Sequence, residues 1–253
     1  MTAALPGWCT LVRADNPGPM TLEGTNTYVL RCDDGLVVVD PGPLDEEHLR
    51  RVAGLGRVTL TLLTHGHPDH AEGARRFADL TGAPVRAYDP GHCVGTTETL
   101  RGAGRLVGVS GLAVDVLHTP GHTSDSVCFV VGDGAETAVL TGDTVLGRGT
   151  TVVAHPDGAL APYLDSLRAV VALGPRTLLP GHGPVREDAA AVAGQYLAHR
   201  AQRLEQVRDA VAAGAATPGE VVRRVYADVD ESLWPAAELS VRAQLDYLAA
   251  EGP

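Results

Sequence analysis

The sequence contains no lysine, so all 20 of its basic residues are arginines. Chemistries that depend on a lysine amine, such as Schiff-base formation and phosphate binding by a P-loop, are therefore excluded. Acidic residues outnumber basic ones, and the formal net charge of the 253 residues is −11. A charge of that sign does not favour a broad nucleic-acid-binding face, although bound metal ions could create a local positive site.

Cysteines and long apolar segments are also sparse. Four cysteines are scattered without C-x-x-C spacing, which predicts free, buried thiols in a reducing compartment: Cys9, Cys32, Cys93 and Cys128. No apolar run approaches the roughly 18 residues that cross a bilayer. The N-terminus has neither the basic segment nor the apolar core of a signal peptide. We therefore expect a cytoplasmic protein that does not enter a membrane, and nothing in the sequence implies a protein partner.

The most distinctive stretch runs from Thr64 to His70 and reads Thr-His-Gly-His-Pro-Asp-His. It follows an apolar run over residues 58–63, whose composition predicts a buried strand. Gly66 and Pro68 prevent a regular helix or strand through the cluster, which indicates a tight loop at the end of that strand. Three imidazoles and one carboxylate on such a loop predict a site for zinc or a similar divalent ion.

The same arrangement, an apolar strand followed by Gly or Pro and then by His or Asp, recurs along the chain. It appears at three further positions, namely His122, Asp143 and His182. One such residue could arise by chance, whereas four on the same pattern form a consistent signal. We expect the four strand ends to meet at one edge of a packed sheet.

The remaining sequence predicts ordinary strands and helices. A strand reaching Leu30 and a strand over residues 36–39 flank Asp33-Asp34-Gly35, which predicts a β-hairpin. Residues 83–87 predict a further short strand, and residues 89–111 predict no element. Helices are predicted over residues 43–56, 70–81, 162–173 and 187–213. Their periodicity places these residues on one apolar face of each of the last two helices: Leu164, Leu167, Val171, Leu197, Leu204, Val207 and Val211.

The composition changes after residue 185, where Arg, Ala and Glu become frequent. Thr217, Pro218 and Glu220 form a helix start signal with a capping box, and a last helix carries Val241, Leu245 and Leu248. We therefore predict a catalytic domain over residues 1–185 and a helical module over residues 186–253. The helical module is expected to contribute packing or a wall of the substrate site.

The ligand-type residues can be divided into two sets. One set offers three imidazole nitrogens, enough for a tetrahedral zinc with an open position: His65, His67 and His122. A second set comprises Asp69, His70 and His182, and Asp143 could bridge the two. Ions roughly 3.5–4 Å apart can share and deprotonate one water molecule. The expected reaction is hydrolysis of a carbonyl or phosphoryl centre, in which Asp69 and Asp143 are the candidate catalytic residues and Asp69 orients the nucleophile or passes a proton.

Two further residues allow more than one interpretation. Asp40, at the end of an apolar strand, either caps a helix or accepts a hydrogen bond from a metal-bound histidine. His118 lies four residues before His122 and is either a substrate contact or general acid, or a plain loop histidine. The other histidines lack a comparable context and are interpreted as surface or structural residues: His48, His92, His155 and His199.

The pattern His-x-His-x-Asp-His at residues 65–70, with His122, Asp143 and His182, resembles the metallo-β-lactamase superfamily. Further segments resemble one branch of it, which contains the mitochondrial β-lactamase-like endoribonuclease and its bacterial relatives: residues 16–19, 24–28, 146–151, 180–185 and 195–200. The resemblance implies an α+β fold, an αββα sandwich with a C-terminal helical, winged-helix-like appendage. It also implies two zinc ions held by the two sets named above, with Asp143 bridging them.

The leading functional hypothesis is a dinuclear zinc-dependent hydrolase, with single-stranded RNA as the substrate that the resemblance implies. The alternative substrate is a thioester, as in relatives that resemble glyoxalase II or acyl-carrier-protein thioesterases. The absence of lysine weakens a glutathione-binding version, since such relatives usually use Lys and Arg to hold the tripeptide. A metal-stabilised scaffold without activity is less favoured because no ligand is missing. Iron and manganese accept the same nitrogen and oxygen ligands as zinc.

Overall fold

In the computed structural model, which describes residues 3–102, 104–106, 109–153 and 155–251, two β-sheets pack face to face with helices on their outer sides. The first sheet has the order β1-β2-β3-β4-β5, with strands Cys9–Arg13, Asn26–Cys32, Gly35–Val39, Val58–Leu62 and Val85–Arg86. The second has the order β6-β7-β8-β9, with strands Ala113–His118, Val127–Gly132, Thr137–Gly142 and Thr177–Pro180.

The described residues also form seven α-helices. In chain order they are α1 (Glu46–Ala53), α2 (Pro68–Ala71), α3 (Ala74–Thr81), α4 (Leu160–Ala172), α5 (Ala189–Ala212), α6 (Pro218–Val225) and α7 (Trp234–Glu251). Short 3-10 turns cover Pro90–His92 and Glu231–Leu233. No helix in this described part of the chain is both long enough and apolar enough to cross a membrane.

Each sheet combines antiparallel and parallel pairs. Strands β2 and β3 form the predicted hairpin, with Cys32 opposite Gly35, and β4 and β5 then add in parallel. In the second sheet β6, β7 and β8 are antiparallel, and β9 lies parallel to β8. Parallel neighbours end on the same edge of a sheet, so β3 and β4 deliver the residues that follow them to one side of the molecule, as do β8 and β9.

The space between the sheets is filled by alternate residues of the strands, because successive side chains point to opposite faces. One buried cluster contains Leu30, Val37, Leu62, Phe129, Leu140 and Leu179, which come from both sheets. Each fully buried side chain of this size contributes about 1.5–3 kcal/mol of transfer free energy. This shared layer fixes the two sheets against each other and therefore fixes where their strand ends lie.

The outer faces of the sheets carry the intervening residues. Val29 and Val38 pack against Leu49, Val52 and Phe77 of α1 and α3. On the other side, residues of β7, β8 and β9 pack against α4 and α5: Cys128, Val139 and Leu178 against Tyr163, Leu167 and Tyr196. The arrangement of helices, two sheets and helices confirms the predicted αββα sandwich.

Helix α5 connects this sandwich to the C-terminal helices. Its first half packs against α4, whereas Val207 and Ala210 near its end join Val221, Val222 and Val241 of α6 and α7 in a separate cluster. Helix α6 begins with the predicted capping box, in which the side chains of Thr217 and Glu220 bond to each other's backbone N–H groups. The domain boundary at residue 185 stays a prediction.

Some predicted elements differ from the observed ones. The segment 70–81 is not one helix, because the N–H of Gly73 donates to the carbonyl of Gly42 and the chain divides into α2 and α3. The predicted tight loop after β4 ends at Pro68, which begins α2. Strand β1 was not predicted, and its burial does not alternate along the strand.

Two residues of the predicted apolar helix faces are exposed rather than buried. Val171 and Val211 are exposed by 37% and 42%. The buried face of α4 is centred on Tyr163, Leu167 and Val170, so Val171 lies to one side of it. At the end of α5, Val207 and Ala210 provide the contact with the C-terminal helices.

Candidate metal centre

Seven side chains with the ligand types predicted from the sequence meet at the strand ends. His65 follows β4, His67 precedes α2, and Asp69 and His70 lie within α2. The segments after β6, β8 and β9 supply His122, Asp143 and His182. Three triads each have their candidate ligand atoms within 4.8 Å of one another: His65, His67 and His122; His65, His70 and Asp143; and Asp69, His70 and His182.

The first of these groups contains three imidazoles. His67 Nδ1 lies 3.1 Å from His65 Nε2 and 3.0 Å from His122 Nε2. The rings of His67 and His122 are nearly perpendicular, at 87°. Three ring nitrogens therefore point at one small volume from three directions.

The second group contains two imidazoles and a carboxylate. His70 Nε2 and His182 Nε2 are 3.1 Å apart. Asp69 Oδ2 lies 3.1 Å from His182 Nε2 and 3.5 Å from His70 Nε2. Both histidines are completely buried, whereas the Asp69 side chain is 28% exposed, so Asp69 forms the open side of this group.

Asp143 lies between the two groups. Its Oδ1 is 3.4 Å from His70 Nε2 and 3.5 Å from His182 Nε2, and its Oδ2 is 3.7 Å from His122 Nε2. One carboxylate therefore faces histidines of both sets.

The opposite nitrogens of the buried rings are held by the protein. Asp40 Oδ2 accepts from His70 Nδ1 at 2.8 Å, the carbonyl of Val152 accepts from His122 Nδ1 at 2.6 Å, and the carbonyl of Gly24 accepts from His182 Nδ1 at 3.3 Å. In the neutral ring an acceptor at Nδ1 keeps the proton there, which leaves Nε2 unprotonated and facing the cluster. Asp40 is thus a hydrogen-bond acceptor of His70, and the cap of α1 is Asp45.

Close approach of the backbone at Gly181 completes the cluster. A Cβ atom at Gly181 would lie 2.5 Å from Asp143 Oδ1 and 2.8 Å from His70 Cε1. No side chain larger than a hydrogen atom fits there without displacing one of those groups. The glycine that precedes His182 in the sequence is therefore a requirement of the cluster.

The carboxylates and imidazoles shift each other's pKa values. Burial opposes protonation of His70, but the charges of Asp143 and Asp40 outweigh it and raise the pKa of His70 well above its usual value. Burial raises the pKa of Asp143, yet His182 and His70 outweigh it and hold that pKa well below its usual range. The cluster strongly favours ionised Asp143, and the same negative charge favours a divalent cation.

A pair of divalent cations fits these donors. Asp143 Oδ1 is buried and has no hydrogen-bond partner among the described residues, so it is free to act as a ligand. Tetrahedral zinc with bonds of about 2.0–2.1 Å separates its ligand nitrogens by roughly 3.3 Å, close to the 3.0 and 3.1 Å observed here. Imidazole and carboxylate together suit zinc, iron and manganese.

The candidate His118 does not join the cluster. It is exposed, its ring stacks on Tyr88 with centroids 4.0 Å apart, and its Nε2 faces the carbonyl of Ser124 at 3.1 Å. It is not among the residues that line the cavity described next. The geometry therefore favours the plain loop interpretation for His118.

A cavity of about 290 Å³ opens from the cluster toward the C-terminal helices. His122 and Asp143 line it together with Arg200 of α5, Tyr226, which directly follows α6, and Ala237 of α7. His199, interpreted from the sequence as a surface or structural residue, lines this cavity, and so do Arg200 and Arg203. Only the run at residues 195–200, which the resemblance singled out, could have indicated the first two, and nothing in the sequence indicated Arg203.

The chain belongs to the metallo-β-lactamase superfamily, whose members are hydrolases. Residues 20–182 match the family model described as the metallo-beta-lactamase superfamily, and residues 217–253 match the beta-lactamase associated winged helix domain. These matches confirm the superfamily, the fold class and the winged-helix-like appendage that were predicted from the sequence. They also confirm the prediction that the protein is an enzyme.

The sequence similarity to known proteins extends over most of the chain. It is 32% identical to a protein of Drosophila melanogaster named beta-lactamase-like protein 2 homolog, over 94% of this chain and 86% of that one. It is 34% identical to the atrochrysone carboxyl ACP thioesterase of Aspergillus fumigatus, over 85% of this chain and 72% of that one. A metallo-beta-lactamase family protein from Thermus thermophilus has the same fold, with a TM-score of 0.81 and 23% identity over 98% of this chain and 95% of that one.

Proposed function

We propose that this protein is a dinuclear zinc hydrolase that cleaves a thioester. The choice of substrate rests on the cavity, which is lined both by residues of the histidine and aspartate cluster and by apolar side chains. Met20, Leu22, Leu146, Val152 and Leu233 are among its walls. A pocket of this kind suits an organic acyl group whose reacting carbonyl reaches the cluster.

The ligand assignment follows the two groups described above. We assign His65, His67 and His122 to one zinc ion, Asp69, His70 and His182 to the other, and Asp143 to both. When bound, two zinc ions supply activation of a water molecule and polarisation of the carbonyl oxygen. The assignment of Asp143 is supported by its two oxygens, which face histidines of different sets.

The residues of this chain then have distinct tasks. Asp40, Val152 and Gly24 hold the Nδ1 atoms of His70, His122 and His182, so that each ring keeps one orientation and one tautomer. Asp69 combines ligation with partial exposure, which suits a carboxylate that accepts the proton released when water attacks the carbonyl carbon. The apolar walls exclude bulk water from the acyl group.

Cleavage of single-stranded RNA is the second candidate. Three arginines and Tyr226 line the cavity, and such groups bind phosphates and stack on bases: Arg148, Arg200 and Arg203. However, the residues from Arg186 onward contain eleven acidic side chains against seven arginines. A strand that follows this surface would meet a net negative charge, so the thioester is favoured.

The test combines metal analysis with two substrate assays. We expect elemental analysis of the purified protein to find two zinc ions per chain, and a panel of acyl thioesters to release free thiol. Asp143→Asn should abolish thiol release and reduce the metal content. Iron or manganese in place of zinc would change the metal assignment alone.

An assay with RNA tests the second candidate function. A fluorescent single-stranded RNA incubated with the same metal-loaded protein should stay intact at enzyme concentrations that hydrolyse thioesters. Cleavage of that RNA, lost in Asp143→Asn, together with intact thioesters would overturn the thioester assignment and favour the second candidate.

A further inference from the structure

Arg200 is a buried cation without a counter-ion. It is 4% exposed and lines the cavity next to the cluster. Its Nη2 donates to the carbonyl of Thr151 and its guanidinium lies 5.1 Å from the ring centroid of Tyr163. Within the described part of the chain it makes no ion pair, and its Nε has no hydrogen-bond partner. A buried charge is costly unless it is paired, so an anion is expected to bind beside it.

A second cation and an imidazole lie on the same face of α5. Arg203 and His199 line the cavity with Arg200, and residues three and four apart on a helix are neighbours. The Arg203 guanidinium stacks on Tyr226 at 4.4 Å from the ring centroid and also makes no ion pair among the described residues. His199 Nδ1 is buried and has no hydrogen-bond partner there either.

Among the residues that the structure describes, the other charged side chains around these cavities form no ion pair with this group, and Asp143, which lines the same cavity, faces the histidines of the cluster instead. Arg148, at the rim of the cavity, is already paired with Glu23 at 2.6 Å. Asp228 lines an adjoining cavity with His199 and Arg203, but it forms no ion pair with either of the two arginines in the described structure. Burial, and then the charges of Arg200 and Arg203, lower the pKa of His199, so the imidazole adds no positive charge at neutral pH.

We propose that Arg200, Arg203 and His199 form a binding site for a carboxylate carried on the acyl group of the substrate. This proposal rests on the thioester function proposed above and narrows it to thioesters whose acyl group bears a negative charge. The reacting carbonyl lies beside His122 and Asp143, and the substrate carboxylate lies beside Arg200 and Arg203 in the same cavity.

A carboxylate suits this site better than a chain of phosphodiesters. The cavity of about 290 Å³ has the size of a small organic ligand site. Two guanidinium groups can hold one carboxylate by short, charge-assisted hydrogen bonds. Arg200 and Arg203 lie together on one helix, whereas a phosphodiester backbone needs positive groups spaced along its path.

The kinetic test compares two thioesters of the same shape with the zinc-loaded full chain. One carries a terminal carboxylate on its acyl group and the other carries a terminal carboxamide, in a series from succinyl to suberyl. We expect the carboxylate to be preferred by about ten- to hundredfold in kcat/KM at the best chain length, since a hydrogen-bonded charge pair has that strength.

Variants of α5 should remove the preference selectively. Arg203→Gln should bring the ratio between the two substrates close to one, and Arg203→Lys should restore part of it. Arg208→Gln is the matched control, because Arg208 lies on the same helix, is 44% exposed and pairs with Glu205. It should keep the wild-type ratio. Arg200→Gln is a second variant, and thermal unfolding followed by circular dichroism verifies that it is folded.

A binding measurement separates this proposal from thioester hydrolysis. Isothermal titration of the zinc-loaded protein with a dicarboxylic acid and with its monoamide holds the metal-facing carboxylate constant and varies the other end. We expect tighter binding of the dicarboxylic acid, lost in Arg203→Gln. Such a difference without thioester hydrolysis would support the carboxylate site and remove the thioester function.

Two other outcomes would contradict the carboxylate site. Thioester hydrolysis with equal kcat/KM for the two acyl groups, or a preference that Arg203→Gln and Arg200→Gln both retain, would overturn the carboxylate site and leave the thioester function intact.

Discussion

Asp40 Oδ2 lies 2.8 Å from His70 Nδ1, directly behind the candidate metal centre. The same carboxylate also accepts from the backbone N–H of Thr64 at 2.8 Å and from its hydroxyl at 2.7 Å. Asp40 has a φ of 53°, in the left-handed region that a residue other than glycine seldom adopts. Three donors therefore hold this carboxylate against a strained backbone, which is typical of a functional position.

Replacing Asp40 should weaken metal binding. In Asp40→Asn, an amide hydrogen replaces one acceptor, so either His70 or Thr64 loses its partner and the negative charge is removed. We expect the affinity for the second zinc ion to fall by about ten- to hundredfold, measured by competition with a chromogenic chelator. Asp45→Asn, which keeps the cap of α1, should retain wild-type affinity. An unchanged affinity in Asp40→Asn would show that His70 does not need this acceptor.

Adding one methyl group at Gly181 should disturb the cluster. The new Cβ would lie 2.5 Å from Asp143 Oδ1, so Gly181→Ala must displace that carboxylate. We expect thioester hydrolysis to fall by about a hundredfold, because small displacements of reacting groups have effects of that size. Gly194→Ala is the control, since a Cβ there meets nothing within 4 Å. It should keep activity and stabilise α5 by about 0.5–1 kcal/mol.

The capping box of α6 should contribute to the stability of the C-terminal helices. Thr217→Ala removes the hydroxyl that accepts from the N–H of Glu220 at 3.3 Å. We expect the free energy of unfolding of this region to fall by about 1 kcal/mol, measured as a lower urea midpoint with unchanged slope. In a Trp8→Phe background, Trp234 of α7 is the single remaining tryptophan and reports this region.

Glu220→Gln provides the comparison for that experiment. An amide oxygen can still accept from the backbone N–H groups of Ala216 and Thr217 that Glu220 now binds. The loss should therefore be smaller than in Thr217→Ala. An equal loss in both variants would contradict this and indicate that the charge of Glu220 contributes as much as the Thr217 hydroxyl.

His48 should make stability depend on pH. Burial, and then the charge of Arg51, lower the pKa of His48; its Nδ1 faces Arg51 Nη2 at 3.1 Å and its Nε2 faces Thr27 Oγ1 at 2.9 Å. Below about pH 6.5 the unfolded chain binds a proton that the folded chain does not, so stability falls as pH decreases, by at most about 1.4 kcal/mol per pH unit. Above that range the contribution is constant.

Urea unfolding in the presence of a chelator, repeated from pH 8 to pH 5, measures this slope. His48→Gln should have a shallower slope than the wild type whatever its absolute stability. Arg51→Met should be intermediate, because removing the positive charge raises the pKa of His48 toward its ordinary value. Parallel curves for wild type and His48→Gln would contradict the prediction.

Much of the site could be predicted because its residue types are those of metal ligands. His65, His67, Asp69 and His70 lie within six residues, and an apolar strand before each of the other ligand-type residues indicates where it emerges. The groups do come together, but they follow strands of two sheets, β4 in the first and β6, β8 and β9 in the second, rather than the edge of one sheet as predicted. The interpretation of Asp40 stayed open, because a carboxylate at a strand end can equally well cap the next helix.

The residues of the cavity wall could not be predicted in the same way. The periodicity of α5 indicates a helix, but it does not say which side chains meet the cavity. His199 has the same local context as a surface histidine, and it faces the cavity only because α6 and α7 fold back over α5. Val211 shows the converse, since it continues the apolar pattern of α5 and is nevertheless exposed.

The sequence by itself determined the ligand types, the glycines that let them approach and the alternation that builds two sheets, because these depend on local conformation and residue chemistry. Only the tertiary structure decided that Asp143 lies between both sets of histidines, that Asp40 supports His70, and that the arginines of α5 border the same cavity. Those relationships join residues far apart in the chain, and their distances follow from how the sheets and helices pack.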